Sequence, residues 1–159
     1  MLEKLTHRKA TLNDLSQIVN LLLEDELGKT REYQSIELDS RYINAFYKIN
    51  TDPNQYLMVV EINNAIVASC HLTIIPSLSF VGSTRLQIEA VRVAEKYRGN
   101  KIGQWMINAS IDYGKSKGAS IVQLTTNKKR IQAKKFYERL GFEASHEGMK
   151  LYLNNQQLI

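Results

Sequence analysis

The 159-residue chain has little cysteine, little proline and no long apolar run. Its one cysteine, Cys70, excludes an internal disulfide, and no Cys/His spacing resembles a zinc site, so we predict no metal. Two prolines and 23% charged residues beside 43% apolar ones are typical of a globular chain rather than a disordered one. Because a membrane helix needs roughly 20 apolar residues in succession, a membrane span is excluded as well.

The N-terminus also lacks the apolar core and small-residue cleavage site of a secretion signal, which predicts a cytoplasmic protein. The length predicts a single domain, residues 1–159. A net charge of +5 is compatible with nucleic-acid binding, but the basic residues cluster only at Arg98 to Lys101 and Lys128 to Lys135. No zinc finger or aromatic RNA-binding signature is present. A small polyanion such as a nucleotide cofactor therefore explains the charge better than nucleic acid does.

Hydrophobic periodicity predicts the element order β-α-α-β-β-β-α-β-α-β-β. Helical spacing is clear from Leu12 to Leu23, after a possible acidic capping box at Thr11 and Asp14. Asn63-Asn64 separates two runs of strand-forming residues and predicts a tight hairpin. The last two strands are predicted within residues 142–153, around Gly148. Helices between the later strands indicate a sheet with both parallel and antiparallel pairs.

The most informative segment runs from Gln87 to Trp105 and joins a predicted strand to a predicted helix. The N-terminus of a helix presents unpaired backbone N–H groups and a partial positive charge, so a glycine-containing loop there suits a phosphate. Arg98 and Lys101 add formal charge to this loop. A tight turn with solvated basic side chains explains the loop equally well when it is considered alone.

With a second segment, this loop resembles the GNAT superfamily of acyl-CoA-dependent N-acyltransferases. The family's loop, Gln/Arg-x-x-Gly-x-Gly/Ala after a Val-x-Val strand, is matched by Val91, Val93, Arg98 and Gly103, and Lys101 stands where the middle glycine is usual. The C-terminal signature Ala-x-x-Phe/Leu-Tyr-Glu-x-x-Gly-Phe is matched by Ala133, Phe136, Tyr137, Glu138, Gly141 and Phe142. Arg130 stands where an asparagine is frequent.

The resemblance implies an α/β (α+β) fold, with a mixed, mostly antiparallel central sheet, a parallel splayed strand pair and about four flanking helices. It implies that acetyl-CoA is the co-substrate, without a metal. The implied reaction is acetyl transfer to a primary amine of a small molecule, by direct attack in a ternary complex. No nucleic-acid or membrane partner is implied, and a homodimer is a candidate assembly because relatives often pair through sheet edges or C-terminal strands.

By the same resemblance, the backbones of Val91, Arg92 and Val93 would pair with the pantetheine arm of the cofactor. The other implied cofactor contacts come from the two motifs and their flanks: Arg98, Gly99, Asn100, Lys101, Ile102, Gly103, Gln104, Asn127, Arg130, Ala133 and Phe136.

Two residues are expected to carry the proton transfers. The resemblance makes Tyr137 the proton donor to the departing thiolate, and the alternative is a tyrosine packed in the core. Glu89 is a candidate base, acting directly or through water, because strand alternation puts it on the same face as Val91. A salt bridge to Arg85, Arg92 or a helix residue is the structural alternative for Glu89.

The resemblance also implies that the acceptor lies near residues 24–47, where acidic and arginine side chains together leave its charge open. Protein or peptide N-acetylation is one alternative function, and a non-catalytic acyl-CoA sensor is another. Cys70 is expected to be a buried apolar residue rather than a nucleophile. His71 lies in a predicted strand and receives no role from the sequence.

Overall fold

The computed structural model describes residues 4–32 and 35–153, and the chain falls into two compact units, residues 1–123 and 124–159. The strands are β1 Leu5–Lys9, β2 Gln55–Ile62, β3 Ala65–Ile75, β4 Thr84–Val93 and β5 Ala119–Leu124. The helices are α1 Leu15–Leu23, α2 Glu26–Lys29, α3 Ser40–Thr51, α4 Ser79–Gly82, α5 Ile102–Ser116 and α6 Ile131–Arg139. None of these helices is long and apolar enough to cross a membrane.

The five strands form one sheet in the order β1-β2-β3-β4-β5. All neighbours are antiparallel except β4 and β5, which are parallel, so the predicted mixed, mostly antiparallel sheet is confirmed. The predicted hairpin is present as well. Asn63 and Asn64 have φ values of 50° and 65°, and a two-residue hairpin turn requires such left-handed residues.

The two faces of the sheet are covered by different helices. On one face, α1 and α3 pack against β2 in a core of Ala10, Leu15, Ile18, Val19, Phe46, Leu57 and Val59. On the other face lies α5, where the Ser110 hydroxyl is 3.5 Å from the Cys70 sulfur. Gly114 allows α5 to approach β4 closely, because a Cβ at this position would lie 2.8 Å from a methyl carbon of Leu86.

The entry to α1 is held by a buried carboxylate. Asp14 accepts a hydrogen bond from the backbone N–H of Thr11 at 2.7 Å, the local contact that the capping pattern predicts. The same carboxylate receives the guanidinium of Arg8 at 2.7 Å, and Arg8 also donates to Glu61 on β2 at 2.8 Å. The guanidinium is the main cause that lowers the pKa of Asp14 to about 2.

We expect Asp14→Asn to lower the free energy of unfolding by about 1–2 kcal/mol at pH 7, after allowance for the half-exposed Arg8. Since the folded-state pKa lies below the ordinary aspartate value of about 3.9, this stabilisation is complete above pH 4. It is lost as the pH falls through the folded-state value toward 2. Urea denaturation of both proteins at several pH values should show the difference shrinking from pH 7 to pH 3, and a pH-independent difference would contradict this assignment.

The predicted C-terminal hairpin is wrong, because residues 142–153 form no strand in the structure. Met149, Leu151 and Leu153 alternate as they would in a strand, yet they are 94%, 86% and 89% exposed. Alternation produces a strand only where a neighbouring strand supplies hydrogen bonds. Among the described residues of the second unit, α6 is the only helix or strand that lies wholly inside it, so the segment has no such partner there.

Candidate active site

Strand β4 carries a bulge in the middle of the segment that the sequence singled out. Ala90 has a φ of 50°, a left-handed conformation that is uncommon for a residue with a side chain. The pairing with β3 shifts at this point: His71 lies opposite Glu89, and Ser69 lies opposite Arg92. Ala90 and Val91 therefore both face Cys70, the two-against-one arrangement that defines a β-bulge and bends the strand.

The bulge changes which side chains share a face of β4. Ser69 and His71 are two residues apart on β3 and so point to the same face, which puts their partners Arg92 and Glu89 together on that face. Val91 lies opposite Cys70, on the face covered by α5. The expectation that Glu89 shares a face with Val91 is therefore wrong, because the extra residue interrupts the alternation on which it relied.

Arg92 is nearly buried and ties β4 to the segment after α1. Its Nη2 lies 3.4 Å from a carboxylate oxygen of Asp25, whose side chain also caps α2 by accepting from the Gly28 N–H. Its Nη1 donates to the carbonyl of Val91 at 2.8 Å. The neighbouring Glu24 carboxylate accepts from the N–H of Glu95 at 2.8 Å, just beyond β4. The expected acceptor region thus contacts the expected cofactor strand directly, although its residues 33 and 34 lie outside the described residues.

The loop after β4 enters α5 through two left-handed residues. Gly99 has a φ of 82° and Lys101, at the N-terminal boundary of α5, has a φ of 62°. Lys101 thus adopts the conformation for which glycine is best suited, at the position where the family usually has glycine. Its exposed side chain makes no capping hydrogen bond to the helix. The first backbone N–H groups of α5 are therefore presented toward the loop.

Two other loop residues are held by hydrogen bonds to nearby carbonyls. Arg98 donates from Nε to the carbonyl of Val93 at 3.1 Å, and Asn100 donates to the carbonyl of Tyr97 at 3.2 Å. At the start of α5, Ile102 is buried in the core, Gly103 is half-buried and Gln104 is exposed. Burial of Ile102 in the core fixes the end of the loop, and the basic side chains of the loop remain at the surface.

In the second unit, the C-terminal signature forms α6 and the turns at its ends. The Asn127 side chain accepts from the N–H of Lys129 at 2.9 Å, and Arg130 stands at the N-terminal boundary of the helix. Ala133 and Phe136 are half-buried along it. The Tyr137 ring packs edge-on against Phe136 and Phe142, with centroids 5.1 and 5.8 Å apart. The packing expected of a structural tyrosine is thus present, and it orients the ring that carries the phenol.

A polar cluster on the Glu89 face was missed by reasoning from the sequence. His71 Nε2 lies 2.6 Å from the side-chain oxygen of Gln55, which also accepts from the Thr73 hydroxyl at 2.9 Å. On the same face, Gln123 of β5 donates to Gln87 of β4 at 2.7 Å. The signal was the alternation of polar residues along β3 and β4, which becomes informative only once the strand register is known.

Cys70 is fully buried, and this burial raises the pKa of its thiol to about 12. A thiol with such a pKa is protonated at neutral pH and is not a nucleophile, as expected from the sequence. Among the described residues, no three His, Cys, Asp or Glu side chains gather as metal ligands would.

Comparison with known proteins agrees with this geometry. Residues 16–142 match the sequence model of the acetyltransferase (GNAT) family, a range that includes the bulged strand, the loop and α6. The chain belongs to this family. It is accordingly an N-acetyltransferase, and acetyl-CoA-dependent N-acetylation is the activity of the family to which it belongs.

Three proteins show the extent of the similarity. An aminoalkylphosphonate N-acetyltransferase of Salmonella typhimurium is 28% identical over 87% of this chain and 85% of its own length. An uncharacterized N-acetyltransferase of Methanocaldococcus jannaschii is 28% identical over 90% of this chain, which spans 62% of that relative. The crystal structure of a transcriptional regulator from Bacillus halodurans is 41% identical, covers 94% of this chain and 100% of its own, and superposes with a TM-score of 0.91.

Proposed function

We propose that this chain transfers the acetyl group of acetyl-CoA to a primary amine of a small molecule, by direct attack in a ternary complex. The observation that carries the proposal is the bulged strand β4 followed by a basic loop with left-handed residues at the start of α5. A helix start of this kind binds phosphate through its N–H groups. A bulge opens backbone groups that a regular ladder would use, so a ligand can pair with them.

In this proposal the cofactor follows β4 toward α5. The pantetheine arm pairs with the backbones of Val91, Arg92 and Val93, and the pyrophosphate lies at the loop from Arg98 to Gln104. The side chains of Arg92 and Arg98 donate to the carbonyls of Val91 and Val93, so two basic groups lie along this stretch of the chain. By the family's C-terminal signature, Asn127, Arg130, Ala133 and Phe136 are also proposed as cofactor contacts.

The chemistry requires a neutral amine, an acceptor for its proton and a donor for the thiolate. We assign the first proton transfer to Glu89, which takes a proton from the bound ammonium directly or through water. The amine nitrogen then attacks the thioester carbon, and the tetrahedral intermediate collapses with cleavage of the C–S bond. Tyr137 gives its proton to the departing sulfur and regains one from the nitrogen, so the acid is restored within the same turnover.

A small amine is the proposed acceptor, supported by the Salmonella relative, which by name acetylates aminoalkylphosphonates and matches most of this chain. The single-domain arrangement over residues 1–159 and cytoplasmic location remain part of this proposal.

A non-catalytic acyl-CoA sensor is the second candidate, because the Bacillus halodurans protein of 41% identity is named a transcriptional regulator. A sensor would use the same cofactor loop but would need neither Glu89 nor Tyr137. Nucleic-acid binding through Lys128 to Lys135 would accompany that role. If bound DNA were displaced by CoA, this basic segment would be part of the cofactor site rather than a separate one.

A thiol-release screen with acetyl-CoA distinguishes these candidates. The panel should contain aminoalkylphosphonates, amino sugars, amino acids, polyamines and short peptides at equal concentration. We expect saturable release of CoA with one class of small amine. Turnover with peptides alone would favour protein N-acetylation, and tight acetyl-CoA binding without turnover on any amine would favour the sensor.

Lys101 gives a prediction for the cofactor loop. Lys101→Gly should raise the free energy of unfolding by about 0.5–1 kcal/mol, because glycine adopts a φ of 62° without steric cost. If the ammonium meets a phosphate, the same variant should weaken CoA binding at low salt but much less at high salt.

Two further variants separate charge from backbone. Lys101→Gln removes the charge and keeps the strained conformation, whereas Lys115→Gln removes a charge in the last turn of α5, about 20 Å along the helix. Calorimetric titration with CoA at two salt concentrations should show weaker binding than in the original protein for Lys101→Gly and Lys101→Gln, and unchanged binding for Lys115→Gln. If Lys101→Gln binds CoA as tightly as the original protein at both salt concentrations, the side chain points away from the phosphates.

A further inference from the structure

The polar cluster beside Glu89 contains a histidine whose tautomer is determined by its neighbours. His71 Nε2 lies 2.6 Å from the Gln55 side-chain oxygen, and an amide oxygen carries no proton. The imidazole must therefore donate from Nε2. The Thr73 hydroxyl donates to the same oxygen at 2.9 Å, so both lone pairs of the amide oxygen are used. In the neutral ring this leaves Nδ1 as a proton acceptor.

The position of His71 is set by two strand registers. On β3 it lies directly opposite Glu89 of β4, on the face that Glu89 shares with Arg92. Directly opposed residues in an antiparallel pair have Cβ atoms about 4.5–5.5 Å apart, so their side chains are within reach of each other or of one shared water. The cluster is half-buried, whereas Glu89 itself is exposed to the solvent from which an acceptor would arrive.

The charged groups around His71 come from neighbouring elements. On β4, Arg85, Glu89 and Arg92 lie on the face of His71, and Arg92 is paired with Asp25 of the segment after α1. Helix α3, which packs against β2, carries Arg41 and Lys48. From β2, Gln55 contributes no charge, and α1 itself has no charged residue. Burial lowers the pKa of His71, and the charge of Glu89 acts in the opposite direction. The ring is thus neutral at pH 7 and able to accept a proton.

We propose that His71 is a second proton acceptor of the acetyl-transfer site, which receives through Glu89 the proton that leaves the acceptor's ammonium. This proposal rests on the proposed function. The proton passes from the amine nitrogen to a Glu89 oxygen and from there to His71 Nδ1, directly or through one water, and then to solvent after the product leaves. The later proton exchange between nitrogen and thiolate remains with Tyr137, so every proton has one donor and one acceptor.

A relay has a physical advantage over the carboxylate alone. A glutamate ordinarily has a pKa near 4.3 and holds a proton only briefly at neutral pH. An imidazole starts from a pKa near 6.5, which burial lowers and the charge of Glu89 raises in the case of His71. Proton transfer is most efficient when the acceptor's pKa lies near the working pH. Gln55 contributes as a positioning residue, since it keeps the Nε2–H tautomer and so directs the lone pair of Nδ1 away from itself.

The test is a double-mutant cycle with kcat/KM as the readout. At pH 7 we expect His71→Gln to lower kcat/KM roughly ten-fold and Glu89→Gln roughly 10²-fold. If the two residues form one relay, the double variant should be no slower than Glu89→Gln alone. Losses that multiply to roughly 10³-fold, or a His71→Gln variant as fast as the original protein, would overturn the proposal.

A second variant reports on the titration of His71 without removing it. Gln55→Glu puts a carboxylate against Nε2–H, which favours the imidazolium and raises the pKa of His71. The low-pH limb of the kcat/KM profile should therefore move to higher pH, an effect that a merely structural histidine would not produce. An unmoved limb would overturn the proposal even if His71→Gln failed to fold. The affinity for acetyl-CoA should be unchanged in Gln55→Glu.

Failure of the inference and failure of the proposed function are distinguishable in this design. If the original protein acetylates an amine but neither variant behaves as expected, only the role of His71 is overturned. If the original protein acetylates no amine, the proposed function fails, and the inference fails with it.

Discussion

Replacing Tyr137 with phenylalanine should lower kcat by at least about ten-fold and leave the affinity for acetyl-CoA nearly unchanged. The phenylalanine ring can keep the edge-on contacts with Phe136 and Phe142, so the variant removes the hydroxyl and little else. Without a proton donor, the thiolate leaves unassisted, and general acid catalysis is typically worth roughly 10²–10⁴-fold. Steady-state kinetics with acetyl-CoA and the best amine would measure the loss.

Tyr113→Phe is the matched control. Tyr113 lies on α5, and its ring stacks against Tyr56 with centroids 4.5 Å apart. This variant also loses one phenol hydroxyl, but outside the C-terminal signature, and should retain the original kcat. If Tyr137→Phe turned over as fast as this control, Tyr137 would be a structural residue of α6 and not the proton donor.

Glu89→Gln should lower kcat/KM roughly 10²-fold at pH 7, because the carboxylate that takes the ammonium proton is lost. The deficit should narrow as the pH rises toward 10, where an ordinary alkylamine is already partly neutral and needs no base. The measurement is a pH profile of kcat/KM for both proteins. A constant ratio at all pH values would remove Glu89 from the proton path.

Asp112→Asn serves as the control for this variant. Asp112 is an exposed carboxylate on α5, the helix that covers the opposite face of the sheet from Glu89. It removes one negative charge from the same unit, so any general effect of net charge on cofactor or acceptor binding would appear in both variants. Only Glu89→Gln should show a deficit that depends on pH.

Most of the fold was predictable from local patterns in the sequence. The Asn63-Asn64 turn predicted the β2–β3 hairpin, and helical spacing predicted α1. These features depend on neighbours a few residues away, so the sequence carries them directly. The two cofactor motifs were found for the same reason, since each is a continuous segment.

The bulges could not be predicted, and they determine which polar side chains meet. The turn between β2 and β3 pairs Ile62 with Ala65. Between Glu61 and Val60 the strand register shifts by one residue, and Gln55 consequently lies opposite Thr73. Without that shift, the alternation would point Gln55 to the other face, away from His71. The second bulge, at Ala90, separates Glu89 from Val91 in the same way. An alanine with a positive φ carries no local signal, because tertiary packing rather than residue preference imposes it.

The prediction of two C-terminal strands was wrong for a different reason. Alternating apolar residues in 149–153 satisfy the local rule for a strand, whereas a strand also requires a partner that may lie anywhere in the chain. Hydrophobic periodicity predicts which face of a strand each side chain occupies, but it does not predict whether the segment finds a partner strand.

The central claim is that the acetyl group moves from CoA to an amine on this chain. A single-turnover reaction with isotopically labelled acetyl-CoA, excess protein and the best amine of the screen tests this claim most directly. Mass spectrometry then measures the masses of the intact protein and of the small molecules. We predict one labelled acetyl group on the amine for each CoA thiol released, and no label on the protein. Acetyl-CoA that binds tightly and stays intact with every amine would contradict the claim.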